Sequence, residues 1–465
     1  MDASAAGLDQ ALLAALRTIV GTEHVLVSPE DVAAYATDAG CRTSPPAAVV
    51  LPATTAEVSA VLGLADRERI PVIPRGAGSG MAGGALATPA GIVLALTRMR
   101  CIIEIDSANL VAVVEPGLVT AELQEALRPL GLMYAPDPAS ARFSTVGGNA
   151  ATCAGGPSAV KYGVTKDSVI ALEAVLPGGE ILHAGQRTEK GVTGYDLTRL
   201  LIGSEGTLAI ITRLTLRLLP LPEQRDTLLL LCDELSIATN LVSRILAGGL
   251  RPCTLEFMDQ TAISVVAPLL PEQLPPAVQA LLLIEFDGTA REVLEMERRL
   301  DEILATVTKI TVRRARDASE SAALWQARRL ISPATFQLRP HKISEDVAVP
   351  RSRIPELVAW TNDLGRELGL TILCFGHAGD GNIHVNIMYD EKNSEERVAA
   401  ARARDLLLAR VIALDGVLSG EHGIGLGKKR YVPLELSPPA LRIMRGIKAL
   451  FDPHNILNPG KIFPD

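Results

Sequence analysis

The residues best suited to chemistry lie in two short stretches, CFGHAGDGNIHVNIM (Cys374–Met388) and SGEHGIG (Ser419–Gly425). In the first, Ile383, Val385 and Ile387 alternate with His384, Asn386 and Met388. That is the period of a strand, so His384 and Asn386 share one face. Asp380-Gly381 is a favoured two-residue hairpin turn. A turn there sets His377 directly opposite His384, with Cβ atoms about 4.5–5.5 Å apart. Two imidazoles so placed can share one metal ion. Glu421, with His422 beside it, offers a third ligand. A two-histidine, one-glutamate set leaves coordination positions open, as catalysis requires. The plain alternative is a group of buried, hydrogen-bonded histidines. His24, His183, His341 and His454 lack such company and read as structural.

Upstream, LWQARRLISP (Leu324–Pro333) carries Arg328 and Arg329, and HKISEDVAVP carries Lys342. These cations suit a substrate carboxylate, which Arg grips bidentately. The alternative is a solvated basic helix face.

Three glycine-rich stretches suit a phosphate-bearing cofactor. The first, PRGAGSGMAGG (Pro74–Gly84), holds Arg75, Gly76, Ala77, Gly78, Ser79 and Gly80. Gly78, Gly80 and Gly83 match the spacing of a dinucleotide fingerprint after a strand. A Rossmann loop must open a helix, however. Here the chain runs through Gly84, Pro89 and Gly91 into another strand. Consecutive glycines can still converge their N–H groups on an anion, and Arg75 adds charge. The second stretch, STVGGNAATCAGG, holds Ser144, Thr145, Gly148, Asn149, Gly155 and Gly156. The third, GSEGTLAII, holds Glu205, Gly206 and Ile211. All three read as loops. Together they suggest an extended nucleotide cofactor threaded between two small subdomains; three close-packed turns in one domain are the alternative.

The elements that must position these residues follow from periodicity. Residues 40–220 alternate short strands (Ala47–Leu51, Pro71–Pro74, Ile92–Leu96, Ile102–Ile105, Val111–Glu115, Val169–Leu176, Leu208–Leu218) with helices at Thr55–Asp66 and Thr120–Leu130. Past Pro220–Pro222 the helices lengthen, as at Arg291–Thr306, Ser352–Leu368 and Ser394–Leu414. Strands such as Leu281–Phe286 lie between them, which predicts a second α+β domain over 221–415. The tail 416–465 is too short for a domain and packs back on the first, residues 1–220.

A chain of 465 residues suggests two or three domains. Hydrophobic residues at 48% and charged residues at 21% exclude a disordered chain. With 3% aromatics and a net charge of -8, a nucleic-acid surface is excluded too. The six cysteines (Cys41, Cys101, Cys153, Cys232, Cys253, Cys374) form no C-x-x-C motif, which argues against iron–sulfur and zinc-ribbon sites. Their wide spacing suits a reducing compartment. The first residues, with Asp2 and Asp9 and no basic cluster, do not read as a secretory signal. Leu8, Leu12, Leu16 and Ile19 predict an amphipathic surface helix. No apolar run approaches the ~18 residues needed to span a bilayer.

Six motifs now stand in order: PRGAGSGMAGGA, TGYDLTRLLIGSEGTLAIIT, ISEDVAVP, FGHAGDGNIHVNI, SGEHGIG and FDPHNILNPGKIF. With them the chain resembles the FAD-linked 2-hydroxyacid dehydrogenases, from about residue 20 to its end. That family includes glycolate oxidase FAD subunits, cytochrome-type D-lactate dehydrogenases and D-2-hydroxyglutarate dehydrogenases.

The resemblance implies an α+β fold: a vanillyl-alcohol-oxidase-type FAD-binding domain of two α+β subdomains, and an α+β cap domain on an antiparallel sheet. It implies oxidation of a small D-2-hydroxy acid, or glycolate, to the 2-oxo acid. FAD would be bound non-covalently, because the first glycine loop holds no histidine for attachment. His377, His384 and Glu421 would hold a divalent metal, zinc first, with manganese or iron as alternatives. Asn386 would hold substrate, His422 would be the base, and Arg328 and Lys342 would grip the carboxylate. Electrons would pass to a partner protein or quinone. The resemblance allows a homodimer or hetero-oligomer, in the cytoplasm or peripheral to the inner face of the membrane. Two other readings stay open: a metal-dependent hydrolase, and a non-catalytic flavin-binding subunit of a larger complex.

Overall fold

The protein was analysed as a computed structural model that describes residues 8–40, 43–88, 90–188 and 190–465. Cys41, Pro89 and the first seven residues, all used above, lie outside the described residues. The chain divides into two compact units. The first comprises residues 1–155, 163–221 and 421–465; the second comprises 156–162 and 222–420. The excursion of 156–162 into the second unit has no signal in the periodicity.

The first unit contains two main sheets. One has four strands in the order Val25–Leu26, Ala48–Val50, Ile92–Ala95, Val72–Arg75, with the last three parallel. Its helix Thr55–Glu68 starts where Thr54 accepts from the Glu57 amide, and it buries Val58, Val61 and Leu62. The amphipathic helix near the start spans Gln10–Val20, capped by Asp9, and buries Leu13, Leu16 and Val20. The other sheet is antiparallel, in the order Ile102–Asp106, Val111–Val114, Ile210–Arg217, Val169–Val175, Ile181–Gly185.

The second glycine-rich stretch is a correction. It contains a helix, Val146–Thr152, not a loop. Thr145 caps it, its Oγ1 accepting from the Gly148 amide at 3.2 Å. A Cβ on Gly147 would sit 2.4 Å from that of Pro116, so this glycine permits close helix packing. Small residues that read as a turn are therefore packing residues on a short helix.

The second unit is a seven-stranded antiparallel sheet. Its order is Ile310–Arg314, Gln224–Cys232, Ala280–Gly288, Thr254–Asp259, Thr371–His377, Asn382–Tyr389, His341–Ala348. One face packs against helices Gln260–Val266 and Ala318–Ala334 through Met258, Leu283, Leu324, Ile331 and Phe375. The hairpin register is a second correction. His377 pairs with Asn382, and Phe375 pairs with His384, so the turn takes four residues, 378–381. Its tip is held by neighbouring strands: Gly379 N–H donates to Leu255, and Val349 N–H donates to the Gly381 carbonyl. Gly381 has φ +89°, and a Cβ there would meet the Val349 oxygen at 2.1 Å. These tertiary bonds outweigh the local preference for a two-residue Asp-Gly turn. The shift preserves side-chain parity, so both histidines keep the same face.

The end of the chain ties the first unit together. Asn458, 2% exposed, donates its amide to the carbonyls of Gly84 and Glu205 at 2.8 and 2.7 Å. Lys461 Nζ reaches the carbonyls of Gly84 and Leu86 and the Asn458 side chain. Removing the Asn458 side chain strands buried polar groups worth ~2 kcal/mol. We expect Asn458→Ala to lower Tm by at least about 4 °C, at ~2–4 °C per kcal/mol for a unit this large. An unchanged melting curve would deny the tail this tie.

Candidate functional site

The first unit holds a cavity with about 1430 Å³ of empty volume, part of it open to solvent. Its lining includes Arg75, Gly76, Ala77, Gly78, Ser79 and Gly80 from the first stretch. Thr145, Gly148 and Asn149 come from the second, and Glu205, Gly206 and Ile211 from the third. Glu421 and His422 line it as well. Ser144 and Gly155 are not in the lining, and Gly156 falls in the second unit. Sequence reasoning missed Pro138, Ala139 and Ser140, which also line it. The cluster PDPAS marks them as a loop and gives no sign of a cofactor wall.

Arg75 ends the strand Val72–Arg75 and is 7% exposed. Its Nη1 is buried without a hydrogen-bond partner. Burial pulls the pKa of this guanidinium down, with Asp38 and then Tyr35 working the other way. A Cβ on Gly78 would fall 2.1 Å from Arg75 Nη2, so only glycine lets the loop fold over the guanidinium. A buried guanidinium with an unmet Nη1 beneath an open glycine loop fits an anionic cofactor, and the pyrophosphate of FAD has that chemistry. Glu205, with φ +52°, accepts from the Ile424 and Gly425 amides at 2.7 and 2.9 Å. Burial raises its pKa, while these amides and Lys461 lower it.

In the second unit, His377 and His384 are 5% and 8% exposed. Their ring centroids lie 5.1 Å apart, edge to face at 85°. Each has a carboxylate at Nδ1. Glu256 Oε1 lies 2.6 Å from His377 Nδ1, and Asp346 Oδ1 lies 3.6 Å from His384 Nδ1. A histidine whose Nδ1 is hydrogen-bonded to a carboxylate is the kind that ligates metals through Nε2, and His377 meets that condition; His384 and Asp346 add nitrogen and oxygen donors of the type a divalent cation takes. Asp346 also accepts from Asn382 at 2.7 Å and from Ser419 at 3.1 Å.

Arg328 is no solvated charge. It is 7% exposed, donates Nε–H to Glu256 Oε2 at 2.7 Å, and lies over the Phe375 ring. Burial works against ionisation of Glu256, but Arg328 and then His377 outweigh it and hold the carboxyl low, at about 2. Ser332, one turn on from Arg328, accepts from Lys342 Nζ at 2.7 Å. The helix Ala318–Ala334 thus gathers Arg328 and Lys342, while Arg329 is exposed. Asn386 is fully buried on the face that also carries His384, and neither amide atom has a hydrogen-bond partner. Such a side chain costs about 1–3 kcal/mol per unmet group unless a ligand or water meets it. Glu256 was missed from sequence; a glutamate inside the apolar run TLEFMD was the available signal.

Residues 46–185 match the FAD binding domain family, and residues 221–462 match the family described as FAD linked oxidases, C-terminal domain. The chain is 41% identical over 420 residues to the glycolate oxidase subunit GlcD of Bacillus subtilis (strain 168), covering 90% of this chain and 89% of that protein. It belongs to the FAD-linked 2-hydroxyacid dehydrogenase family. Another relative, D-lactate dehydrogenase of Anaerostipes hadrus, is 38% identical over 90% of this chain and 89% of its own length. The crystal structure of p-cresol methylhydroxylase with substrate bound aligns at TM-score 0.84 and 17% identity, covering 99% of this chain and 98% of that one. Membership makes the protein an FAD-linked oxidoreductase, of vanillyl-alcohol-oxidase-type fold. The hydrolase and the non-catalytic subunit give way to it. Among the described residues, no helix is long and apolar enough to cross a membrane.

Arg75→Met should weaken FAD retention. Loss of a charge-assisted bond worth about 1.5–3 kcal/mol is roughly 10–150-fold in affinity. Flavin absorbance after gel filtration and dilution measures it. Wild-type retention would confine Arg75 to its contacts with Asp38 and Tyr35.

Proposed function

We propose that this enzyme oxidises a small D-2-hydroxy acid, such as D-lactate or D-2-hydroxyglutarate, or glycolate, to the 2-oxo acid. The observation that carries the reading is Asn386, buried and unsatisfied on the sheet face shared with His384. Arg328 comes from the covering helix, and Lys342, on the edge strand His341–Ala348, bonds to Ser332 of that helix. The named activities of the relatives agree with it.

FAD, when bound, supplies the acceptor for the substrate hydride. A divalent cation, zinc or else manganese or iron, would supply Lewis acidity toward the substrate hydroxyl. The ligand set is His377, His384 and Glu421. Chain continuity supports it. Ser419 bonds to Asp346 beside His384, and Glu421 follows two residues later, within about 7 Å of chain. His422 takes the hydroxyl proton at a ring nitrogen. Arg328 keeps donors beyond those that Glu256 accepts, and with Lys342 it fixes the acid end so that the α-C–H has one orientation. Asn386 offers a donor and an acceptor to the bound acid. Ser144, Gly155 and Gly156 remain in the reading as supports of the FAD site. The acceptor of the electrons is a partner protein or quinone, and the assembly is a homodimer or hetero-oligomer. The enzyme works in the cytoplasm or at the inner face of the membrane.

Anaerobic mixing with a panel of 2-hydroxy acids should bleach the flavin with at least one of D-lactate, glycolate and D-2-hydroxyglutarate. No bleaching by any of them would overturn the substrate class. Acid precipitation should release all FAD into the supernatant, because residues 74–84 contain no histidine; flavin left in the pellet would contradict non-covalent binding. His384→Ala should strip metal and turnover while keeping FAD and the melting temperature. Full metal content with normal turnover in that variant would sink the ligand set.

A further inference from the structure

We propose that Glu256 is a positioning residue shared by both arms of the site, setting His377 with one carboxylate oxygen and Arg328 with the other. The inference rests on the reading above of His377 as a metal ligand and Arg328 as a carboxylate anchor.

Glu256 stands in the middle of the strand Thr254–Asp259 and has no exposure. Its two oxygens are divided between partners on different elements. Oε1 lies 2.6 Å from Nδ1 of His377, at the end of the neighbouring strand. Oε2 accepts from Nε of Arg328, on the covering helix, at 2.7 Å. An ionised carboxylate only accepts hydrogen bonds, so His377 carries its proton on Nδ1 and its lone pair on Nε2. That is the tautomer a metal ligand needs, and the bond also fixes the plane of the ring. The same carboxylate fixes the rotation of the Arg328 guanidinium, which lies over the Phe375 ring 5.0 Å away.

An ion pair kept for stability alone has no need of this division. Buried pairs are often matched or exceeded in stability by apolar residues of similar size. The gain from Glu256 is geometric: it holds the metal arm and the carboxylate arm in one frame.

The test uses the FAD-loaded full-length protein and Zn²⁺ alone, titrated against a chelator. Glu256→Gln by itself leaves Arg328 buried without a counter-charge and risks misfolding. The informative variant is the apolar pair Glu256→Leu with Arg328→Met. It should keep FAD absorbance and melting near wild type, yet bind Zn²⁺ about 10–100-fold more weakly. A second variant, Glu256→Asp, keeps the charge but is one methylene too short to reach both partners. It should also lose Zn²⁺ affinity and raise KM for the hydroxy acid more than it lowers kcat. Wild-type Zn²⁺ affinity in either folded variant would reduce Glu256 to a counter-ion for Arg328 and overturn the inference. His377→Ala separates the two levels. If it loses Zn²⁺ while the Glu256 variants do not, the inference fails and the metal reading stands. If it too binds Zn²⁺ as wild type does, the metal reading fails and takes the inference with it.

Discussion

A carboxylate with no exposure keeps its charge only if it is paired and hydrogen-bonded, and Glu256 meets that condition with the Arg328 cation on one oxygen and the His377 Nδ1 on the other. Much of the second unit can be read outward from this point. The central strand Thr254–Asp259 must sit beside Thr371–His377 for Glu256 to meet the imidazole. The helix Ala318–Ala334 must turn Arg328 inward, which places Leu324, Ala327 and Ile331 in the apolar layer around it. Glu285, on the strand Ala280–Gly288, repeats the theme beneath the preceding turn of the same helix. It is 2% exposed and accepts from Thr227 at 2.7 Å and from the Trp325 indole at 2.6 Å. Polar groups under an apolar helix are tolerated because each finds a partner.

The first unit is governed by a different constraint, the close approach of backbone to backbone. Gly425 shows it: a Cβ there would lie 2.2 Å from the Ala82 oxygen, and φ is +48°. The segment after His422 therefore runs against the first glycine stretch, with Leu426 and Gly427 donating to Ala82. Asn458 and Lys461 bond to the same stretch at Gly84. A cofactor cavity lined by glycine segments needs walls held by main-chain bonds, since glycine has no side chain with which to pack.

The sequence alone determined the elements and the chemistry-bearing types. Strong alternation at Ile383–Met388 and the cap at Thr54 act through nearest neighbours, so they can be read without the fold. The glycine segments, the histidine pair and the basic residues of LWQARRLISP were legible for the same reason: local composition is sufficient to raise them. Parity placed His377 and His384 on one face even though the register differed, because a shift by two residues does not change sides. What only the tertiary structure decided was anything held by distant bonds. The four-residue turn at 378–381 depends on Leu255 and Val349, and the Val146–Thr152 helix on Pro116. The partners of Arg328 and His377, and the burial of an unsatisfied Asn386, are likewise tertiary facts. Glu256 lies 72 residues from Arg328 and 121 from His377, and no local pattern links charges across such distances. Burial separates a buried anchor from a solvated arginine, and burial is a property of the packed sheet and helix.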